Sequence, residues 1–423
     1  MVNIFYYNLI FLFSFMFMFM YIDILGIYVN LSLWYYGIDN YAYFLIMLSM
    51  WIIGLMIMTL DEFSLAKLVV FMSLLMVFIL FFSSVSLIMF YLYFEVSLIP
   101  TFILIIYWGI NPERVSAGFY LMMYTLFISL PLMIYLFWWF KELNTFNMIL
   151  MTYELINFDL MFMDYIIMFS AFFIKLPIYL FHVWLPKAHV EAPVYGSMVL
   201  AAVLLKLGTY GLIRLMMMFV LGCMKYNYLL FSVSLVGSLM VGVLCLVQID
   251  LKSLVAYSSV VHMNFLLCSM MTMFKLGFVS SYIMMIGHGL CSSGLFFMVN
   301  IYYMKTNSRL IFFNKGFITI MPFYVIWWFF LCSSNFSFPL SINFLSEVLM
   351  MGALMSWEVS LMVYLMLISF FSSAYSLYLF SSIQYGDSQI EESVNCGIMK
   401  NFLNLLMHLY PLVFMLLNLM VFY

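Results

Sequence analysis

The chain has 423 residues, of which 68% are hydrophobic and only 7% charged, with a formal net charge of -3. A soluble domain is roughly half apolar and a quarter charged, and a compact water-soluble particle needs a polar skin that this composition cannot supply. The balance excludes a soluble fold and, because the basic residues are few and scattered, a nucleic-acid partner.

The lipid bilayer is therefore the expected solvent. A membrane-crossing helix needs about 20 mainly apolar residues. That rule gives candidate spans at 3–22, 41–59, 66–84, 86–108, 115–139, 162–185, 193–218, 226–247, 253–274, 277–303, 317–351, 359–383 and 401–422. The fold class expected is all-α, a polytopic transmembrane bundle of about 13–14 helices. Met1 leads straight into apolar sequence, so no removable targeting segment is expected. Met and Phe, at 43 and 48 residues, have AT-rich codons, which points to an organelle-encoded chain.

In chain order, the first buried charge is Glu95, alone in the span LYFEVSLIPTFIL. Polar connectors are expected at 22–40, 61–67 and 111–116. The stretch 141–160 spaces charges among apolar residues and is expected to lie along the membrane surface or against neighbouring helices. The next span, FFIKLPIYLFHVWLP, carries Lys175 two residues before Pro177. Proline removes a helical hydrogen bond and clashes with the preceding turn, so this helix is expected to break in mid-membrane. His182 follows in the same segment, and His189 and Glu191 read as loop residues. Their spacing is not that of a zinc-protease helix.

Lys206 lies well inside the next span. Arg214, near its end, reads as a snorkelling side chain, and Asp250 and Lys252 read as solvated residues at a helix start. His262 (AYSSVVHM) and His288 (IGHGLCSSGLF) each share a helix with paired serines. The run 317–351 is too long for one straight span and contains Ser333-Ser334-Asn335 and Pro339, so a second broken helix is expected there, with Glu347 beyond its proline. A loop at 384–400 precedes the last span.

Two interrupted helices, one in each half, are the sequence sign of an inverted repeat with sites near the membrane midplane. The expected division is 1–65 for the N-terminal transmembrane helices, 66–218 and 226–383 for the repeat halves, and 384–423 for a polar loop and terminal helix. Charges at bilayer depth cost several kcal/mol even on lenient scales, so Glu95, Lys175, Lys206 and Glu347 need a reason to be there. One reading is a proton relay, with His182, His262 and His288 as further members. The other is a set of static pairs that fix helix register; a snorkelling Lys206 and satisfied interhelical histidines belong to the same bland reading.

Six cysteines occur singly without a C-x-x-C pair, which reads as buried small hydrophobes and not as iron–sulfur or zinc ligands. There is no G-x-G-x-x-G and no P-loop. The expectation is no cofactor and no metal on this chain.

The run LPKAHVEAPVYGSMVLAAVLLKLGTYGLIR (Leu185–Arg214) resembles the subunit 4 family of the mitochondrial NADH:ubiquinone oxidoreductase, respiratory complex I. Supporting it in family order are FEVSLIPTFILIIYWGINPERVSAGFYLMMYTL, DLKSLVAYSSVVHMNF, GHGLCSSGLF and SINFLSEV. The segment K-A-H-V-E-A-P separates it from the sister subunits 2 and 5, and the long lateral helix of subunit 5 is not expected. Two departures stand out: the N-terminal region is one helix short of the usual fourteen, and Val247 stands where the family has an arginine.

The resemblance implies an antiporter-like fold in the mitochondrial inner membrane. It implies a proton path through Glu95, Lys175, Lys206 and Glu347, with His182, His262 and His288 along a hydrated axis. It implies as partners the other membrane-arm and accessory subunits, the lipid bilayer, and protons as the transported species. NADH, FMN, iron–sulfur clusters and ubiquinone would act in other subunits. In this picture, two unit charges about 4 Å apart at an effective dielectric near 20 interact by roughly 4 kcal/mol, so opening a Glu95–Lys175 contact would push the lysine proton toward Lys206, with Glu347 on the exit side. The same residues would serve a cation/proton antiporter subunit without a redox partner, and a non-transporting helix scaffold remains the third reading.

Overall fold

The computed structural model describes residues 36–60, 64–155, 158–387 and 399–417; the candidate span 3–22 and most of the 384–400 loop lie outside them. Helices follow the apolar runs because backbone groups in lipid must be satisfied within the segment. They are α1 (Asn40–Thr59), α2 (Leu65–Ser83), α3 (Leu87–Trp108), α4 (Arg114–Leu143), α5 (Met148–Leu155), α6 (Phe162–Lys175), α7 (Trp184–Glu191) and α8 (Val194–Met218). After these come α9 (Val220–Val247), α10 (Leu251–Met271), α11 (Lys275–Thr306), α12 (Phe317–Ile320), α13 (Pro322–Asn335), α14 (Ile342–Trp357), α15 (Val359–Gln384) and α16 (Met399–Leu417). Among the described residues, extended pairing is limited to isolated bridges such as Tyr36 with Ser84 and Asp250 with Leu310, and ten helices are long and apolar enough to cross a membrane.

Both expected interruptions are present. The helix bearing Lys175 stops at that residue and resumes at Trp184, and the one after Pro322 stops at Asn335 and resumes at Ile342. Each break contains a leucine with positive φ, five residues beyond the last helical residue: Leu180 at 85° and Leu340 at 89°. Bulky side chains rarely adopt this backbone region, so the two breaks share an uncommon local solution. By this local pattern Asn335, and not an ionisable residue, stands where the first break has Lys175.

The short helix α5 buries Met148, Met151 and Leu155, which lie on one face. The chain divides into two compact units: residues up to Leu176 with Glu191–Tyr226, and Pro177–Val190 with Asn227 onward. In the first, α6 packs on α4 and α8, and almost all of α8 is buried. Gly208 and Gly211 allow this closeness: a Cβ on Gly211 would stand 2.3 Å from the Phe172 ring, and one on Gly208 3.0 Å from the Phe172 carbonyl oxygen. Small residues at helix crossings are the usual means of close approach in membranes. In the second unit α11 is the hub, packed against α10, α13, α14 and α16.

Candidate functional site

The first unit buries Lys175 and Lys206 in its interior and holds Glu95 half-buried. Helix α3 is interrupted at Ser97, just after Glu95, because Pro100 has no N–H to offer the preceding turn. Lys175, the last residue of α6, is buried and reaches this disturbed turn. Its Nζ donates to the Phe94 carbonyl and lies 3.4 Å from Ser97 Oγ. The ammonium group also stands 3.2 Å from the centre of the Phe94 ring, a cation–π position.

The direct Glu95–Lys175 contact expected from the sequence is not formed. The Glu95 carboxylate has the Ser129 hydroxyl as its hydrogen-bonding neighbour, and Lys175 acts on it as an electrostatic neighbour. The Phe94 carbonyl, which also accepts from Ser97 Oγ at 2.7 Å, has taken the lysine in place of the acid.

Lys206 is fully buried within α8, two residues after a π-helical turn at Leu200–Leu204. Such turns often mark functional positions. Its Nζ folds back on its own helix and donates to the Ala201 carbonyl at 2.5 Å, so it does not snorkel.

Arg214 differs from the expected snorkelling residue. It forms an ion pair with Asp39, donates to Tyr210 Oη at 2.9 and 2.7 Å, and Tyr210 in turn donates to the Phe82 carbonyl at 3.1 Å. This chain of bonds ties the segment before α1 to α8.

The second unit holds the four other candidates. His262 on α10 stands between two partners: Nδ1 lies 3.4 Å from Glu347 Oε1 on α14, ion-pair distance without a hydrogen bond, and Nε2 lies within hydrogen-bond reach, 3.3 Å, of Tyr375 Oη on α15. All three side chains are buried. The His288 ring centre on α11 stands 5.7 Å from that of His262. A small cleft beside the pair is lined by Glu347, His262, Ser369 and Ser372 among others.

His182 lies apart from this cluster in the turn region before α7, stacked at 5.6 Å on Tyr179 with Tyr257 edge-on. His189 is helical and buried, stacked on Phe296 at 4.8 Å, and so is not a loop residue. Glu191 accepts a bond from Asn111 Nδ2 at 3.1 Å. Lys252 is buried and not solvated.

Three participants carry no charge and were not singled out in the sequence. Tyr375 completes the clamp on His262. Asn264 donates to the Pro177 carbonyl at 3.1 Å and accepts from the Tyr179 N–H at 3.3 Å, sealing the first break. Asn343 donates to the Ser334 carbonyl at 2.9 Å at the second. A polar residue in an apolar run opposite a proline break was the available signal.

Among the described residues no group of three or more His, Cys, Asp or Glu is placed to hold a metal ion. A histidine with an acid on one nitrogen and a hydroxyl on the other can take a proton at one and release it at the other.

Comparison with known proteins gives the family of the chain. Residues 84–374 match the profile of the family described as NADH:quinone oxidoreductase/Mrp antiporter, TM. The chain is 42% identical over 398 residues to NADH-ubiquinone oxidoreductase chain 4 of Apis mellifera ligustica, covering 94% of this chain and 88% of that protein. It is 46% identical over 404 residues to the protein of the same name from Aedes aegypti, covering 90% and 86%. Among solved structures, a chain of respiratory complex I from Thermus thermophilus with bound NADH matches with a TM-score of 0.81 at 20% identity, over 90% of this chain and 81% of that one. A chain of the Mrp complex from Dietzia sp. DQ12-45-1b matches at 0.76 and 15% identity, over 85% and 68%.

Proposed function

The chain belongs to the NADH:quinone oxidoreductase/Mrp antiporter membrane family, and from that premise we propose that it is a proton-translocating membrane-arm subunit of respiratory complex I in the mitochondrial inner membrane. Its relatives named NADH-ubiquinone oxidoreductase chain 4 support placing it in an assembly with other membrane-arm and accessory subunits. Electron transfer from NADH to ubiquinone, with FMN and iron–sulfur clusters, then belongs to those other subunits, and this chain moves protons.

The observation that carries the reading is the clamp on His262. Three buried polar groups on three helices meet with alternating donor and acceptor capacity. Static pinning of helices needs no titratable group, and replacing buried ion pairs with apolar residues is often neutral or stabilising. In the first unit, Lys175 and Lys206 hold protons against backbone carbonyls, which accept but never donate. Each lysine can therefore surrender its proton only to another mobile acceptor, and Glu95, an electrostatic neighbour of Lys175, is the acid nearest in role. Glu347 is a buried acid of the second unit, and His288 and His182 extend its set of titratable groups.

The test uses the intact complex reconstituted in vesicles. Lys206→Met is expected to assemble but to depress proton flux and NADH oxidation together, because blocked translocation stalls a coupled machine. Normal flux in an assembled Lys206→Met complex would make the lysine structural. Co-purification of the chain without flavin and iron–sulfur subunits would instead favour a cation/proton antiporter lacking a redox partner.

A further inference from the structure

Helix α16 carries a pair of polar side chains that the proton path above leaves unused. Asn404 and His408 stand one turn apart, so they share a face, and both are buried. His408 Nδ1 lies 2.8 Å from the Asn404 backbone carbonyl. A carbonyl only accepts, so Nδ1 carries the hydrogen, and in the neutral ring Nε2 has a lone pair. That Nε2 has no hydrogen-bond partner, and neither do Oδ1 and Nδ2 of Asn404. Three polar atoms of two neighbouring side chains are thus without protein partners in a helix otherwise apolar enough to cross a membrane.

The facing surface is shaped to receive them. On α11, Gly294 has no side chain; a Cβ there would stand 3.4 Å from His408 Cβ and 2.7 Å from Leu331 Cδ2 on α13. The Phe297 ring lies parallel to the imidazole, with centres 6.2 Å apart and planes 11° from parallel. The His408 imidazole thus lies against α11 with an aromatic wall, and Leu331 of α13 closes on the same glycine. These side chains are neutral, so a cation there would be buried without a counter-charge.

We propose that Asn404 and His408 form an internal water-binding site. Water is the ligand whose chemistry fits: it accepts from Asn404 Nδ2–H and donates to His408 Nε2, while Asn404 Oδ1 accepts a further hydrogen. Buried waters characteristically serve polar groups that the protein leaves unsatisfied, with two to four bonds each. The site also supplies a histidine lone pair in contact with water inside the membrane.

The test reads hydration, not pumping, and so stands apart from the relay. Fast radiolytic footprinting of the native complex activates bound water and oxidises the side chains beside it. His408 is expected to be oxidised several-fold more than Phe78, which is equally buried on the apolar helix α2. Asn404→Leu is expected to lower the His408 signal several-fold. Oxidation of His408 no greater than that of Phe78 in the native complex overturns the site, whether or not the variant assembles. A His408 signal unchanged in an assembled Asn404→Leu complex overturns it equally.

Discussion

The ammonium group of Lys175 donates to the Phe94 carbonyl while standing 3.2 Å from the centre of the Phe94 ring, one residue before Glu95. The lysine is thus held at the bend in α3, close to the acid but not paired with it. A direct ion pair would fix both charges together. Here the lysine keeps a neutral partner, and the acid, with the Ser129 hydroxyl beside it, stays free of the lysine.

Lys175→Met removes the proton carrier and leaves the carbonyl and ring without their cation. In assembled complex, proton flux and turnover are expected to fall together, on the order of a hundredfold, the scale of a lost acid–base group. Vesicle acidification normalised to complex content measures it. Parental flux in the variant would reduce Lys175 to a pin for the α3 bend.

At Glu347 the required property is a change of charge. Glu347→Gln is expected to lose most pumping and Glu347→Asp to keep a substantial part, because aspartate still ionises and glutamine does not. Glu347→Lys is the third case, since lysine also titrates and can restore partial flux. Equal activity of the Gln and Asp variants would remove Glu347 from the path.

Tyr375→Phe takes the hydroxyl from His262 Nε2 and leaves that nitrogen buried and unbonded. Such a loss costs about 1–3 kcal/mol, and 1.4 kcal/mol is a factor of about ten in rate. Pumping about tenfold slower with normal assembly is expected. Flux equal to the parent would show that the clamp needs only its acid side.

Gly211→Ala drives a methyl group into the Phe172 ring and pushes α8 from α6. Overpacking of this kind typically costs about 1–3 kcal/mol, read as a lower midpoint of thermal inactivation of the complex. Gly352→Ala is the control, since its Cβ would meet only Leu276 Cδ2 at 3.9 Å. Equal midpoints for both variants would deny the role of the close α6–α8 crossing.

The sequence by itself determined the class of the protein, because lipid leaves the backbone few choices. Apolar runs of span length had to be helices, and the prolines at 177 and 339 marked where two of them break. It also marked Glu95, Lys175, Lys206 and Glu347, since an ionisable residue inside an apolar run is visible without any coordinates. Partnership was not visible. That Lys175 meets a carbonyl of α3 and not Glu95, that Arg214 meets Asp39, and that His262 lies between Glu347 and Tyr375 all depend on helix rotation and approach. Those are set by glycines such as Gly208 and Gly211 and by how side chains from distant segments interlock. Tyr375 shows the limit most clearly. One tyrosine among 32 in the chain, it has no charge to betray it, and only packing places its hydroxyl against a buried histidine.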